Sequence, residues 1–174
     1  FIWISIASAS ISVDLRSIYK SKEEALEKQF KRYSNFKRLL SASSDITNYK
    51  NLQYYASFTF GTTQTLTCLL DTGSTWIWVP QKGCTTCGTP DTYYDPSKSS
   101  TYHNMTIQKS LTYLKGSSTG YLSTETIGLE DGTKVTAQTF ISVYAETDAN
   151  GFVPDGLVGL GFDELSDGYA SLMT

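Results

Sequence analysis

The sequence predicts an all-β domain over residues 49–174, preceded by one helical segment. Residues that prefer strands or turns predominate after residue 50, among them most of the 12 Tyr and all 13 Gly. Apolar runs in this part are short and are separated by turns that contain glycine. By contrast, residues 21–40 show the apolar spacing of an amphipathic helix. The 174 residues are enough for one domain with a hydrophobic core.

A first hairpin is predicted at the start of the β region. Tyr54–Phe60 and Leu66–Leu70 have strand composition, and they are separated by the turn sequence Gly61-Thr62-Thr63-Gln64. The second run leads directly into an aspartate, which places a carboxylate at a strand end.

Further strands are predicted downstream. Ile107–Tyr113 and Gly120–Leu129 flank residues 114–119, which favours a longer hairpin with a mobile tip. Val135–Tyr144 is a strand by composition, and Asp155–Gly161 is typical of a short buried strand between glycines. No internal repeat is present.

The first 48 residues differ from the rest. Residues 1–9 end in Ala7-Ser8-Ala9, the A-x-A form of a signal-peptidase site, and we interpret them as a signal peptide remnant; the alternative is a buried N-terminal strand. Residues 10–48 form a basic segment with the helix at 21–40 and a polar linker at 41–48. A membrane-surface helix is the alternative to a removable pro-segment.

Charge is divided unevenly along the chain. Residues 1–50 carry a net charge of +4 and residues 51–174 a net charge of −7, for a total of −3. This predicts that the basic pro-segment lies against the acidic domain as a partner. The basic residues come with no recognition motif, so no nucleic-acid partner is predicted, and no stretch is long enough to span a membrane.

Because His103 is the only histidine, a His-based metal cluster is excluded. Neither metal nor cofactor is expected, and His103 is expected at the surface.

Asp71-Thr72-Gly73-Ser74 is the segment that points to chemistry. A carboxylate at the end of an apolar strand loses hydration and needs hydrogen bonds to its charged form. The hydroxyls of Thr72 and Ser74 could supply them, and Gly73 lets another chain approach its backbone. All four residues are also ordinary turn residues, so a plain strand-to-turn transition is the alternative.

Five motifs, in order, resemble those of the pepsin-like aspartic proteases. The resemblance covers about residues 13–174 and is firm from Tyr54 onward. It implies a pepsin-like acid protease fold, with the N-terminal lobe only in residues 49–174 and a helical pro-segment before it. The motifs are Tyr54-Tyr55-Ala56 with Phe60-Gly61-Thr62; Asp71-Thr72-Gly73-Ser74-Thr75 with Trp78-Val79-Pro80; Tyr93 with Ser99-Ser100-Thr101-Tyr102; Leu111-Thr112-Tyr113 with Gly116-Ser117 and Gly120-Tyr121-Leu122; and Asp155–Gly161.

The resemblance implies roles for the Asp71 loop. Asp71 would be one of two carboxylates that share a proton and activate a water for attack on a peptide carbonyl of a polypeptide substrate. Thr72 would link the two catalytic loops, Gly73 would present backbone to the substrate, and Ser74 would hold the outer oxygen of Asp71.

It also implies that the hairpin carrying Tyr113 and Gly116 closes over the substrate; we call this hairpin the flap. Trp78 would pack beneath it, and Tyr113 would help exclude water. A half-exposed strand tyrosine and a core tryptophan are the plain alternatives. The sequence departs from the family at Leu114, where glycine is usual, and Lys115 adds a charge near the cleft.

The cysteines Cys84 and Cys87 admit three interpretations. A zinc site lacks a second ligand pair at a known spacing, and a redox motif lacks its βαβ context. A small disulfide loop fits the family and a secreted protein. Cys68, in an apolar run, is expected to be a buried thiol. Asn104-Met105-Thr106 is a candidate glycosylation sequon on a predicted surface loop.

We therefore expect an aspartic endopeptidase of the secretory pathway, either secreted or located in an acidic, lysosome- or vacuole-like compartment. The chain contains no second Asp-Thr-Gly or Asp-Ser-Gly, so the C-terminal lobe with the partner aspartate is expected to be missing from it. Alone, the chain is expected to be inactive. The alternatives are an inactive homologue that binds peptides or proteins, a half-size protease that dimerises, and a plain secreted β module.

Overall fold

The computed structural model describes residues 44–88, 90–114, 116–148, 151–161 and 166–172. All of them belong to one compact unit, Leu39–Thr174. The predicted signal remnant at 1–9, the helix at 21–40 and Lys115 in the flap lie outside the described residues, as does all but the end of the pro-segment at 10–48.

The described residues confirm the all-β class. They form eight strands in a single mixed sheet and one short 3-10 helix at Pro96–Lys98. Along the sheet the strand order is β1-β2-β3-β8-β4-β7-β6-β5, with a further pairing of β2 to β6 that folds the sheet over on itself. The strands are β1 Thr47–Tyr49, β2 Gln53–Phe60, β3 Gln64–Asp71, β4 Ile77–Pro80, β5 His103–Thr112, β6 Ser117–Leu129, β7 Lys134–Thr147 and β8 Gly156–Gly159.

Strand β8 lies between β3 and β4 and determines where Asp71 ends up. It runs parallel to β3, with Asp71 opposite Gly159, and antiparallel to β4, with Trp78 opposite Leu157. A Cβ at Gly156 would lie 2.5 Å from the Trp78 carbonyl oxygen, and one at Gly159 would lie 2.5 Å from the Thr75 carbonyl carbon. The glycines that suggested a buried strand in the sequence are therefore required by this close approach.

Both predicted hairpins are present, with changes at their ends. Strands β2 and β3 pair from Phe60↔Gln64 outward, as expected. In the second hairpin, pairing extends to Thr112↔Ser117, so the predicted loop at 114–119 is too long and the true loop spans residues 113–116.

Two other parts of the sheet extend further than the sequence predicted. Strand β7 continues to Thr147, beyond the predicted end at Tyr144. Residues 47–48, predicted as linker, belong to β1 and pair with β2, so the linker prediction is wrong for them.

Among the described residues, the core has two apolar clusters. One packs Phe60, Tyr94 and Phe140 against each other, with ring centroids 5.6–5.8 Å apart. The other contains both Trp76 and Trp78 and lies under the candidate site. Glu125 is fully buried beside the first cluster, where it accepts hydrogen bonds from the Tyr94 hydroxyl at 2.5 Å, the Thr126 amide at 2.7 Å and the Thr101 hydroxyl.

Asp155, immediately before β8, anchors three segments of the chain. Its carboxylate accepts the Thr67 amide at 2.8 Å, the Thr67 hydroxyl at 2.9 Å and the Thr92 amide at 2.8 Å. The Asp155 side chain is buried and Thr67 is partly buried, so loss of the carboxylate would leave the Thr67 amide and hydroxyl without an acceptor where water has limited access. Asp155 therefore holds the start of β8 against β3 and against the loop before the 3-10 helix.

We expect Asp155→Ala to lower the free energy of unfolding of the intact protein by about 2–4 kcal/mol, because it removes a buried charged acceptor of three hydrogen bonds. Chemical denaturation measures this. The control is Asp91→Ala, which removes an exposed carboxylate near Thr92 and should change stability by less than about 0.5 kcal/mol. Equal effects of the two substitutions would contradict the anchoring role.

Candidate active site

Asp71 is the last residue of β3, and both its backbone and its side chain are held. Its carbonyl oxygen accepts the Leu160 amide at 2.7 Å, which ties it to the residue after β8. Its carboxylate oxygen Oδ1 accepts the Gly73 amide at 2.9 Å. The side chain is only partly buried, and Thr72 and Gly73 are exposed beside it. A carboxylate is thus presented on a rigid strand end and faces open space.

The loop after Asp71 is fixed through its backbone. The Ser74 carbonyl accepts the Gly161 amide at 2.7 Å, and the Trp76 carbonyl accepts the Gly159 amide at 3.0 Å. The hydroxyls of Ser74 and Thr75 are buried and make no hydrogen bond to the described residues. The expected bond from Ser74 to the outer oxygen of Asp71 is therefore absent from the described residues, whereas the linking role of Thr72 stays a prediction.

The flap places Tyr113 in contact with Trp78. Trp78 Nε1 donates a hydrogen bond of 2.9 Å to the Tyr113 hydroxyl, so the two residues that the sequence singled out are in contact. Burial raises the pKa of Tyr113 well above its ordinary value, and the negative charges of Asp71 and Glu146 add to this, whereas the Trp78 bond opposes it. The phenol therefore stays neutral and can both accept and donate hydrogen bonds.

The base of the flap is clamped onto the end of β7. The Tyr113 amide donates to the Gly116 carbonyl at 3.0 Å, and Gly116 has φ +77°. A Cβ at Gly116 would overlap the Thr147 carbonyl oxygen, so glycine is required both for the conformation and for the approach. The Ser117 amide donates to the Thr147 hydroxyl at 3.0 Å. Position 116, predicted to be a flap residue, thus controls how closely the flap approaches β7.

Asp71, Trp78 and Tyr113 line one cleft of about 650 Å³. Its floor is apolar, formed by Leu69, Trp78, Phe152 and Leu157, and the Trp78 and Phe152 rings stack with centroids 5.4 Å apart. Leu114, the departure from the family pattern, is fully exposed at the edge of the cleft. The remaining lining residues are Leu52, Gln53, Ser117, Ser118, Glu146, Thr147, Asp148 and Gly151.

Sequence reasoning missed the far wall of this cleft. Phe152 and Glu146 follow Asp71 by about 80 residues and belong to no recognisable motif. The pairing of β6 with β7 brings Glu146 to the site by setting it opposite Ser118. That register is not readable from either strand alone. Phe152 lies beyond β7, where it stacks on Trp78. The residues on either side of Phe152 are hydrogen-bonded to the Gln53 side chain.

The cysteines resolve into one disulfide and one thiol. Cys84 and Cys87 are bonded, as the resemblance implied, and both are buried beneath Trp76 and Trp78. Cys68 is fully buried, which confirms the expected interior thiol, and burial raises its pKa well above the ordinary value. Within the part of the chain that the structure describes, no group of three metal-ligating residues could hold a metal ion.

Two residues expected at the surface are exposed, but Asn104 lies in a strand and not in the surface loop that was predicted for it. His103 and Asn104 are both exposed at the start of β5, the last strand of the sheet. Asn104 Oδ1 accepts the Thr106 amide at 2.7 Å, and Thr106 has φ +61° within an irregularity of the β5–β6 pairing. In the described ranges, no helix is long and apolar enough to cross a membrane.

The described cleft thus combines a half-buried carboxylate at a strand end, a hairpin tyrosine bonded to Trp78, and an apolar floor. The family model described as eukaryotic aspartyl protease matches residues 53–173. The chain therefore belongs to this family, and it is a pepsin-like aspartic protease sequence.

Individual relatives agree with this assignment. The chain is 35% identical over 171 residues to rhizopuspepsin-2 of Rhizopus niveus, covering 90% of this chain and 44% of that protein. It is 35% identical over 159 residues to aspartic proteinase A2 of Arabidopsis thaliana, covering 86% and 31% of the two chains. With cathepsin E of Cavia porcellus the identity is 34% over 134 residues, covering 74% and 34%. The chain spans less than half the length of these relatives.

We expect the Trp78–Tyr113 hydrogen bond to contribute about 0.5–1.5 kcal/mol to the stability of the intact protein. A double-mutant cycle with Trp78→Phe and Tyr113→Phe, followed by chemical denaturation, isolates this value from the packing lost with the indole. The control cycle pairs Trp76→Phe with Tyr113→Phe; Trp76 lies in the same cluster, and its coupling should be within about 0.5 kcal/mol of zero. Equal coupling in both cycles would count against a specific bond.

Proposed function

We propose that this chain supplies one lobe of an aspartic endopeptidase, which hydrolyses peptide bonds in polypeptides with Asp71 and a second carboxylate from outside these 174 residues. The observation that carries the proposal is the position of Asp71, on a rigid strand end in the cleft beneath Tyr113. Membership of the aspartyl protease family supports it.

In the proposed mechanism the two carboxylates share one proton, since both cannot ionise cheaply when they are in contact. The ionised group takes a proton from a water as its oxygen attacks the peptide carbonyl carbon. The protonated group donates to the carbonyl oxygen, on which negative charge develops. Collapse of the tetrahedral intermediate breaks the C–N bond, with a proton delivered to the leaving nitrogen.

The cleft supports an extended substrate between the Asp71 loop and the flap. Gly73 is exposed and lacks a side chain, so a substrate backbone can approach it. The neutral Tyr113 phenol, held by Trp78, would cover the reacting bond from the flap side and exclude water. Side chains of the substrate would pack on the apolar floor near Phe152.

We further propose that residues 10–48 act as a removable pro-segment of a zymogen and that residues 1–9 belong to a secretory signal. The net charge of +4 in residues 1–50 against −7 in residues 51–174 supports an electrostatic attraction between pro-segment and lobe. Acid would protonate carboxylates of the lobe and weaken this attraction, which suits release in an acidic compartment or after secretion.

We expect Asp71→Asn to lower kcat/KM of the intact protein on a polypeptide substrate by at least about 10²–10⁴-fold, because the amide can neither take nor share the proton. A fluorogenic peptide assay at acidic pH measures this, with circular dichroism as the check on folding. Asp91→Asn, an exposed substitution outside the cleft, is the control and should retain activity. If the intact wild-type protein cleaves no peptide but still binds pepstatin-type inhibitors, the proposed hydrolysis is wrong and the function is peptide binding.

Passage through the secretory pathway would also expose the sequon at Asn104, and we propose that it carries an N-linked glycan. The Asn104 side chain is exposed on β5, the last strand in the sheet order. The irregularity at Thr106 turns the backbone away from regular pairing there. A glycan at this place would also shield an unpaired sheet edge from association with other strands.

We expect the protein secreted from a eukaryotic host to shift to higher mobility in gel electrophoresis after peptide-N-glycosidase treatment. Thr106→Ala should abolish the shift, because the sequon requires the hydroxyl residue. Thr136→Ala, at an exposed threonine outside any sequon, is the control and should leave the shift unchanged. Secreted wild-type protein without the shift would contradict glycosylation at Asn104.

A further inference from the structure

Glu146 is a cleft residue to which the proposed hydrolysis gives no role. It lies near the end of β7 and lines the same cleft as Asp71, Tyr113 and Phe152. Its carboxylate accepts a long hydrogen bond of 3.4 Å from the Ser118 hydroxyl. The charge is close enough to Tyr113 to contribute to the raised pKa of that phenol. A second carboxylate therefore faces the space that a substrate would occupy.

The backbone of Glu146 is held from two sides. Ser118 is its partner in the β6–β7 pairing, at the base of the flap. On the opposite side, the Glu146 amide donates to the Thr86 hydroxyl at 3.0 Å, and Thr86 lies within the loop closed by the Cys84–Cys87 disulfide. The carboxylate is thus carried by a fixed strand end rather than by a free loop, which is what a selective contact requires.

The negative charge of the Glu146 carboxylate has few compensating contacts. It is partly buried beside the apolar floor of the cleft, and its one described side-chain partner is Ser118. No described Lys or Arg forms an ion pair with it. A partly desolvated carboxylate of this kind gains most from a cation that arrives with the ligand and can also donate hydrogen bonds.

We propose that Glu146 is a specificity-determining residue of this cleft, which selects polypeptide segments with a Lys or Arg side chain close to the apolar side chain that packs on Phe152. This inference rests on the proposed endopeptidase function and adds its substrate class. The ammonium or guanidinium group of the substrate would take the place of water at the Glu146 carboxylate, while the apolar side chain fills the floor of the cleft.

The preference should depend on pH in a stated direction. Burial raises the pKa of Glu146 above its ordinary value, with the Ser118 bond opposing the shift. The carboxylate is charged only above that pKa, so discrimination in favour of basic substrates should grow as the pH rises through it. Of the described groups, the carboxyl groups of Asp71 and Asp148 line the same cleft, and the Tyr113 phenol beside them is neutral. Lys115, next to Leu114 in the chain, lies outside the described residues.

The test compares paired fluorogenic peptides that differ at one position near the cleaved bond, Lys in one and norleucine in the other. The ratio of their kcat/KM values is measured for the intact protein from about pH 3 to about pH 6.5, the range that brackets an elevated glutamate pKa. The variant is Glu146→Gln, which retains an acceptor for Ser118. The matched control is Glu130→Gln, which removes an exposed glutamate from the β6–β7 turn outside the cleft. Each variant is made with Lys115 and with Lys115→Gln, so that this lysine cannot mask the effect.

In the expected result the wild-type ratio favours Lys at the upper end of the pH range, and Glu146→Gln lowers it about 5- to 10-fold in at least one Lys115 background. Glu130→Gln leaves the ratio within about twofold, and the ratio in Glu146→Gln no longer rises with pH. Cleavage of both peptides with a ratio that Glu146→Gln leaves unchanged in both backgrounds overturns the inference and leaves the proposed function standing. Cleavage of neither peptide by the wild-type protein overturns the proposed function itself.

Discussion

The insertion of β8 between β3 and β4 is the constraint on which the site depends. Two strands that are close in sequence are held apart by a strand from the far end of the chain. That strand can enter only because Gly156 and Gly159 present no side chain to the backbone of residues 75–79. The insertion brings the Leu160 amide to the Asp71 carbonyl. The carboxylate is therefore fixed by long-range backbone pairing, and the mobility of a surface loop does not decide its position.

This arrangement also explains why hydrogen bonds to other segments are concentrated at the two ends of β8. Asp155 binds amide groups from two other segments just before β8, and Gly161 binds the Ser74 carbonyl just after it. A short strand of four residues has few ladder bonds of its own. Charged and backbone hydrogen bonds at its two ends supply the remaining positional control, and they lie where an error would displace Asp71.

The features that short sequence motifs mark could be predicted from the sequence, whereas the features that depend on long-range contacts could not. Asp71, Tyr113 and the β8 glycines belong to short motifs, and the apolar runs with a glycine turn gave the first hairpin. Strand β1 escaped because Thr47-Asn48-Tyr49 is polar and pairs only at the sheet edge, without an apolar face. Glu146 was missed because its place is set by the register of two long strands, which neither strand reveals alone. Phe152 was missed because it lies beyond β7 and is placed by stacking on Trp78, which is remote in sequence.

The end of β7 joins three parts of the site that are remote in sequence. The Thr147 hydroxyl accepts the Ser117 amide at the base of the flap, and the Thr147 carbonyl lies against Gly116. Its neighbour Glu146 faces the cleft, and the Glu146 amide donates to the Thr86 hydroxyl in the disulfide loop. Flap position and the charge presented to a substrate are consequently set by two adjacent residues of one strand. A change in the disulfide loop that shifts this strand end would thus displace both the Glu146 carboxylate and the base of the flap.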